Sequence, residues 1–165
     1  MTLAIAILAF VTLERLGELV LANVNTRRLL AAGGREHGRA HYPWIVAIHA
    51  GWLAALWWLA PTRPVDPYWL ALFGLLLIAR FWVILTLGRR WTTRVIAVPG
   101  EQLVRRGPYR LVDHPNYVVV VGEIAVLPLV FGLGQVALLF SLLNAVILWV
   151  RIRAENHALQ ELRTR

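Results

Sequence analysis

From Tyr68 to Leu87 the chain runs for twenty residues with Arg80 as the one charge. At 1.5 Å per residue a helix of that length covers about 30 Å, the thickness of bilayer hydrocarbon. Lipid offers no partner for backbone N–H and C=O groups, so such a run must satisfy them within itself, as a helix does. Met1 to Ala22 and Trp44 to Ala60 read as two further spans, joined by a polar connector, Asn23 to His41, and the second ended by Pro61 and Pro64. Tyr117 to Phe131 and Val136 to Val150 read as a helical hairpin closed by Phe131-Gly132-Leu133-Gly134-Gln135, each arm short enough to need tilt or local thinning. The expected fold is therefore all-α, a polytopic membrane protein of about five transmembrane helices. Composition agrees, because 59% hydrophobic residues in a chain of 165 exceeds what a soluble core of that size encloses.

One domain is expected, with three N-terminal spans in 1–87 and a polar loop, the hairpin and a helical, amphipathic tail in 88–165. The chain has no cysteine, which excludes disulfides, a thiolate nucleophile and cysteine-held metals. Thr2 to Leu13 lacks a basic flank, and Glu14, Arg15 and Glu18 follow without a cleavage site, so no cleavable signal is expected. The formal charge is 17 − 9 = +8, carried by arginine alone. In a membrane protein such charge serves topology and lipid headgroups rather than nucleic acid. Loops one and three and the tail hold fourteen arginines, loop two holds Arg63, and loop four holds none. The positive-inside rule then puts the N-terminus outside, and the polar loop and tail together on the cytoplasmic face.

Ionisable residues at membrane depth are expensive unless paired or facing a cavity. Glu14 and Glu18 share a helix face beside Arg15; the plainer expectation is a snorkelling helix end with a local ion pair, the alternative a wall of a site. Arg80 needs an acidic partner, a cavity or an interfacial position, and Glu14, Glu18 and Glu123 are the candidates. His49 has no H-x-x-H or H-E-x-x-H companion, so it reads as a buried hydrogen-bonding group and no metal site is expected.

The chemistry is expected in Val98 to Glu123, the longest polar segment. Pro99-Gly100 and Gly107-Pro108 are turn signals bracketing Glu101, Gln102, Leu103 and Val104, a short extended edge able to read a flat heteroaromatic ring. Pro115 suits the first turn of the fourth helix, with Asp113 or His114 near its cap. His114 and Tyr117 then lie one turn apart at a helix N-terminus, where free amide donors favour a carboxylate.

The combination L-V-x-x-G-P-Y-R-x-V-x-H-P-N-Y, followed by a hairpin and Arg151-Ile-Arg-Ala-Glu155-Asn156, resembles the isoprenylcysteine carboxyl methyltransferase family. Glu14-Arg15-Leu16-Gly17-Glu18-Leu19 and His41-Tyr42-Pro43-Trp44 look like small bacterial members. The resemblance implies a bacterial inner-membrane enzyme that moves a methyl group from S-adenosylmethionine to a carboxylate or hydroxyl oxygen of a lipophilic substrate, isoprenoid-like or alkyl. It implies a cofactor pocket open to the cytosol, formed by the polar loop and C-terminal helix, with the substrate arriving from the bilayer. Carried over residue by residue, Glu101, Gln102, Leu103, Val104, Tyr109, His114, Pro115, Asn116, Tyr117 and Glu155 line the cofactor site. Arg151 holds the anionic group of the substrate, and Arg94 joins the cofactor residues by proximity. Asp113 stands where the family usually has Arg, and Asn156 where it has a second acid. Two other classes remain as alternatives: a membrane reductase that uses NADPH on a sterol-like or polyprenyl double bond, and a non-enzymatic membrane scaffold.

Overall fold

The computed structural model describes residues 1–100 and 104–163, except for the side chains of 154 and 156–163. Five helices carry the fold: α1 Thr2–Ala31, α2 Tyr42–Leu59, α3 Pro67–Leu87, α4 Pro115–Val130 and α5 Gly134–Arg163. Three of them, α2, α3 and α5, contain stretches long and apolar enough to cross a membrane. α4 is apolar but only 16 residues long, and Pro128 lies within it. α1 has the length, but Glu14, Arg15 and Glu18 interrupt its apolar run. Leu13, Val20, Trp58, Leu85, Leu138, Leu142 and Val146 are among many large apolar side chains left exposed. That pattern belongs to a surface whose solvent is lipid.

α3 packs on α4 and α4 on α5, while α2 rests against α5 and α1. The main core lies where these helices meet, around Leu8, Val11, Trp52, Leu56, Phe73 and Leu127. Trp52 is 2% exposed and donates its indole N–H to the Ile124 carbonyl at 3.2 Å, so its polar edge is satisfied inside the core. Asp66 caps α3 by accepting from the Tyr68 and Trp69 amides at 2.9 and 3.3 Å, and Pro67 occupies the first turn, where its missing N–H is harmless. Gly132, at φ +67, makes the tight reversal between α4 and α5, with the Leu133 amide returning to the Pro128 carbonyl at 2.9 Å.

Two expectations change. Residues 23–31 are not connector: α1 continues through them, because Asn25 is buried and its amide donates to the carbonyls of Gly88 and Trp91 at 3.1 and 2.8 Å. The remaining link forms a short antiparallel ribbon, β1 Arg35–His37 with β2 Val95–Ala97, in register Glu36 to Ile96.

Glu14, Arg15 and Glu18 are not a snorkelling helix end either. Arg80 bonds Glu18 through Nε and again through Nη2 at 2.8 Å, and its Nη1 lies 3.1 Å from Glu123. Arg15 lies 2.9 Å from Glu18 and 2.7 Å from Glu123. Glu14 sits at the edge, 3.4 Å from Arg15 and 3.8 Å from Arg80, and neither of its oxygens makes a hydrogen bond among the described residues. Two guanidinium groups thus face three carboxylates across α1, α3 and α4. Removing one partner of a buried pair strands the other, at about 3–5 kcal/mol. Glu123→Ala, which strips both arginines, should therefore lower the unfolding temperature in detergent sharply. Glu14→Gln, which removes the surplus and least engaged charge, should leave it unchanged or raised.

Candidate active site

The start of α4 and the C-terminal part of α5 converge on one cluster. Pro115 is buried in the first turn of α4 and His114 is the N-cap residue, at φ −127 and ψ 63. One turn of helix brings the His114 and Tyr117 rings into a stack, with centroids 5.2 Å apart and planes 22° from parallel. On α5, Arg151 and Glu155 are four residues apart and share a face. Tyr117 stands between them: its hydroxyl donates to Glu155 and accepts from Arg151 Nε at 2.9 Å. Arg151 is 8% exposed, holds the Thr93 carbonyl through Nη1 at 2.7 Å, and lies 5.5 Å from the Tyr117 ring centre. The Glu155 carboxylate is 3.9 Å from His114 Nδ1, and both side chains keep about a quarter of their surface exposed, at 28% and 25%.

The polar loop is held to this cluster by packing. Gly107 has φ +57, and a Cβ there would fall 2.7 Å from Thr86 Oγ1, so glycine is needed both for the turn and for the approach to α3. The turn places Tyr109 against Trp91 and Val83. Burial, with a smaller contribution from the Glu155 charge, raises the Tyr109 phenol well above its usual range and keeps it a neutral donor.

A cavity of about 300 Å³ runs into the helices from Arg151, Tyr117 and Asn116. Its wall is predominantly apolar, with Trp91, Ile45, Leu53 and Leu148 among the lining residues, and Arg15, Glu18 and Arg80 reach it from the ion cluster. Asn116 Oδ1 is buried without a hydrogen-bond partner among the described residues, an acceptor available to a ligand. Arg94 pairs with Glu36 at 2.7 Å and lies 4.4 Å from the centre of the Tyr42 ring, bracing the ribbon against α2 beside Tyr42 and Thr93 of the cavity wall. Val104 is half-buried at the end of the loop, and Glu101, Gln102 and Leu103 lie outside the described residues.

Sequence reasoning brought Arg151, Tyr117, His114 and Glu155 to one place but missed the Thr93 carbonyl, which no side-chain pattern signals. It also passed over Asn144, a lone amide in an apolar helix that lines the cavity. Such an amide is itself a signal in a span, and its seven-residue spacing from Arg151 puts both on one face.

Residues 69–161 match the model of the isoprenylcysteine carboxyl methyltransferase (ICMT) family, more than half of the chain. The chain belongs to that family. It is also 38% identical over 160 residues to the uncharacterized protein YpbQ of Bacillus subtilis (strain 168), covering 94% of this chain and 95% of that one. No solved structure matches it significantly. Membership supports methyl transfer at a membrane in general, and methyltransferases of this family use S-adenosylmethionine. The matched segment contains the α4 and α5 residues of the cluster described above, whereas the α1 half of the ion network lies before it.

Tyr117→Phe keeps the ring stack and removes the hydroxyl that joins Arg151 to Glu155. Leaving buried partners unpaired costs about 1–3 kcal/mol. The variant should unfold at a lower temperature in detergent by a corresponding amount, and a thermal melt beside the parent protein checks it.

Proposed function

We propose that the whole chain is one S-adenosylmethionine-dependent O-methyltransferase unit, acting on a carboxylate or hydroxyl oxygen of a lipophilic substrate, isoprenoid-like or alkyl. The observation that carries this reading is a buried cation outside the ion cluster, Arg151, set at the mouth of a predominantly apolar cavity with polar acceptors on its outer side. An apolar tail is drawn to the cavity by burial, and an oxygen bearing negative charge is drawn to the guanidinium.

The donor set beside Arg151 suits the methyl donor. Asn116 Oδ1 and the Glu155 carboxylate are acceptors for the ammonium, ribose hydroxyls or adenine amino group, and the Asn116 amide in the first turn of α4 suits a carboxylate. Tyr109, held neutral, adds a donor, and His114, Pro115 and Tyr117 give the site a rigid apolar and aromatic wall. Glu101 to Val104 would complete it from the loop. When bound, the cofactor supplies an electrophilic methyl on a sulfonium.

What the chain must add is alignment and exclusion of water. Arg151 is held at both Nε and Nη1, so its remaining N–H groups are fixed in direction and can orient an anionic oxygen without further ordering. A carboxylate acceptor needs no base. A hydroxyl acceptor must lose its proton, and the Glu155 carboxylate with His114 behind it forms a short path from the cavity wall to solvent. The fourteen arginines of loops one and three and the tail support a cytoplasmic placement of this site, with the N-terminus outside, in a bacterial inner membrane.

Two variants test the assignment. Arg151→Ala should reduce kcat/KM for the methyl acceptor by at least about tenfold, followed as transfer of labelled methyl to membrane-extract lipids. Glu155→Gln should weaken S-adenosylhomocysteine in calorimetry by a similar factor. Unchanged turnover in the first variant removes Arg151 from its role. Binding of NADPH in place of S-adenosylhomocysteine by the parent protein overturns the reading in favour of a reductase.

A further inference from the structure

Two polar side chains of the cavity take no part in the cluster at its mouth. Asn144 on α5 is 2% exposed, lines the cavity and makes no hydrogen bond among the described residues. His49 on α2 lines the same cavity, with Nδ1 2.8 Å from the Ile45 carbonyl. A carbonyl only accepts, so Nδ1 carries the proton, and Nε2 of the neutral ring is left as an acceptor. Polar groups this deep in an apolar setting are costly unless something pairs with them.

The two lie at similar depth. Gly51 of α2 abuts the Phe140 ring of α5, while His41, just before α2, is near the Arg151 charge, so the helices run antiparallel. His49 is two residues from Gly51 and Asn144 four from Phe140, both towards Arg151, which leaves a difference in depth of about 3 Å. Asn144 and Arg151 are seven residues apart on one face of α5, a separation of about 10 Å.

We propose that His49 and Asn144 form a polar subsite inside the apolar cavity that binds a hydroxyl of the lipophilic substrate, about 10 Å from the oxygen that receives the methyl. A hydroxyl is the group that satisfies both partners, donating to His49 Nε2 and accepting from the Asn144 amide. A carbonyl can use Asn144 alone, and a plain hydrocarbon leaves both unpaired. The substrate is therefore a chain with two oxygen functions, one at the mouth and one buried, and a site built to pair with a hydroxyl discriminates strongly against the analogue that lacks it. This inference rests on the methyltransferase reading of the same cavity.

The experiment is calorimetry on the full chain in lipid nanodiscs, with a long-chain saturated fatty acid and its positional monohydroxy isomers as probes. One isomer should bind at least about tenfold tighter than the unsubstituted acid. That gain should vanish in both Asn144→Leu and His49→Phe, while S-adenosylhomocysteine binds each as it binds the parent; should one variant fail to fold, the other carries the same reading. A series in which hydroxyl position makes no difference, as when an ordered water alone fills the subsite, overturns the inference, as does a preference that survives both substitutions. Failure of the parent protein to bind S-adenosylhomocysteine overturns the proposed function instead, so the two failures are told apart by one cofactor titration.

Discussion

Two arginines and three glutamates buried among apolar helices dictate how this fold closes. Each charge alone would be too costly at that depth, so Arg15, Arg80, Glu14, Glu18 and Glu123 are tolerable only together. They come from α1, α3 and α4, and their mutual distances fix those three helices in depth and rotation more tightly than lipid-like side chains could. Apolar contacts between helices have no solvent-derived driving force within a bilayer, so directional polar contacts carry more of the specificity. The cluster also limits the cavity, because Arg15, Glu18 and Arg80 reach its wall.

The second organising element is α5, which runs unbroken from Gly134 to Arg163. Continuity matters more than composition here. A break after the apolar segment would leave Arg151 and Glu155 on a separate tail whose angle could vary. An intact helix instead carries Asn144, Arg151 and Glu155 as rigidly spaced points, from inside the cavity to its mouth. Tyr117 then locks the end of α5 to the start of α4, and the Thr93 carbonyl ties both to the loop after α3.

The helical fold was legible in the sequence from local patterns, long apolar runs and the Pro115 start, whereas the convergence of residues 114–117 with 151–155 was legible through the arginine distribution, which puts both on one face, and through the family resemblance. The partner of Arg80 was legible only as a choice among three carboxylates, since the choice depends on how α1 and α4 rotate about α3, which no linear spacing encodes. The structure answers that all three take part. The continuation of α1 to Ala31 was missed because the arginine-bearing stretch Asn23 to His41 reads as a polar connector. Asn25 is buried there through bonds to carbonyls more than sixty residues away. The β1–β2 ribbon was missed for a related reason: three residues a side give no periodicity, and the pairing is held by the Arg94–Glu36 contact across it.

The distribution of polarity along the cavity links fold to chemistry. At the mouth, polar groups are mutually bonded yet partly exposed, so a charged ligand can exchange for water there without stranding a partner. Asn116 beside the mouth, and His49 and Asn144 deeper in, hold unused hydrogen-bonding capacity against a predominantly apolar wall. A membrane protein that served only to hold helices together would gain by replacing those groups with apolar side chains of similar volume, because in an apolar interior each unpaired polar atom is a net cost. Their presence beside Arg151, on helices already fixed by the ion cluster, is more economically explained by a ligand that supplies the missing partners than by packing.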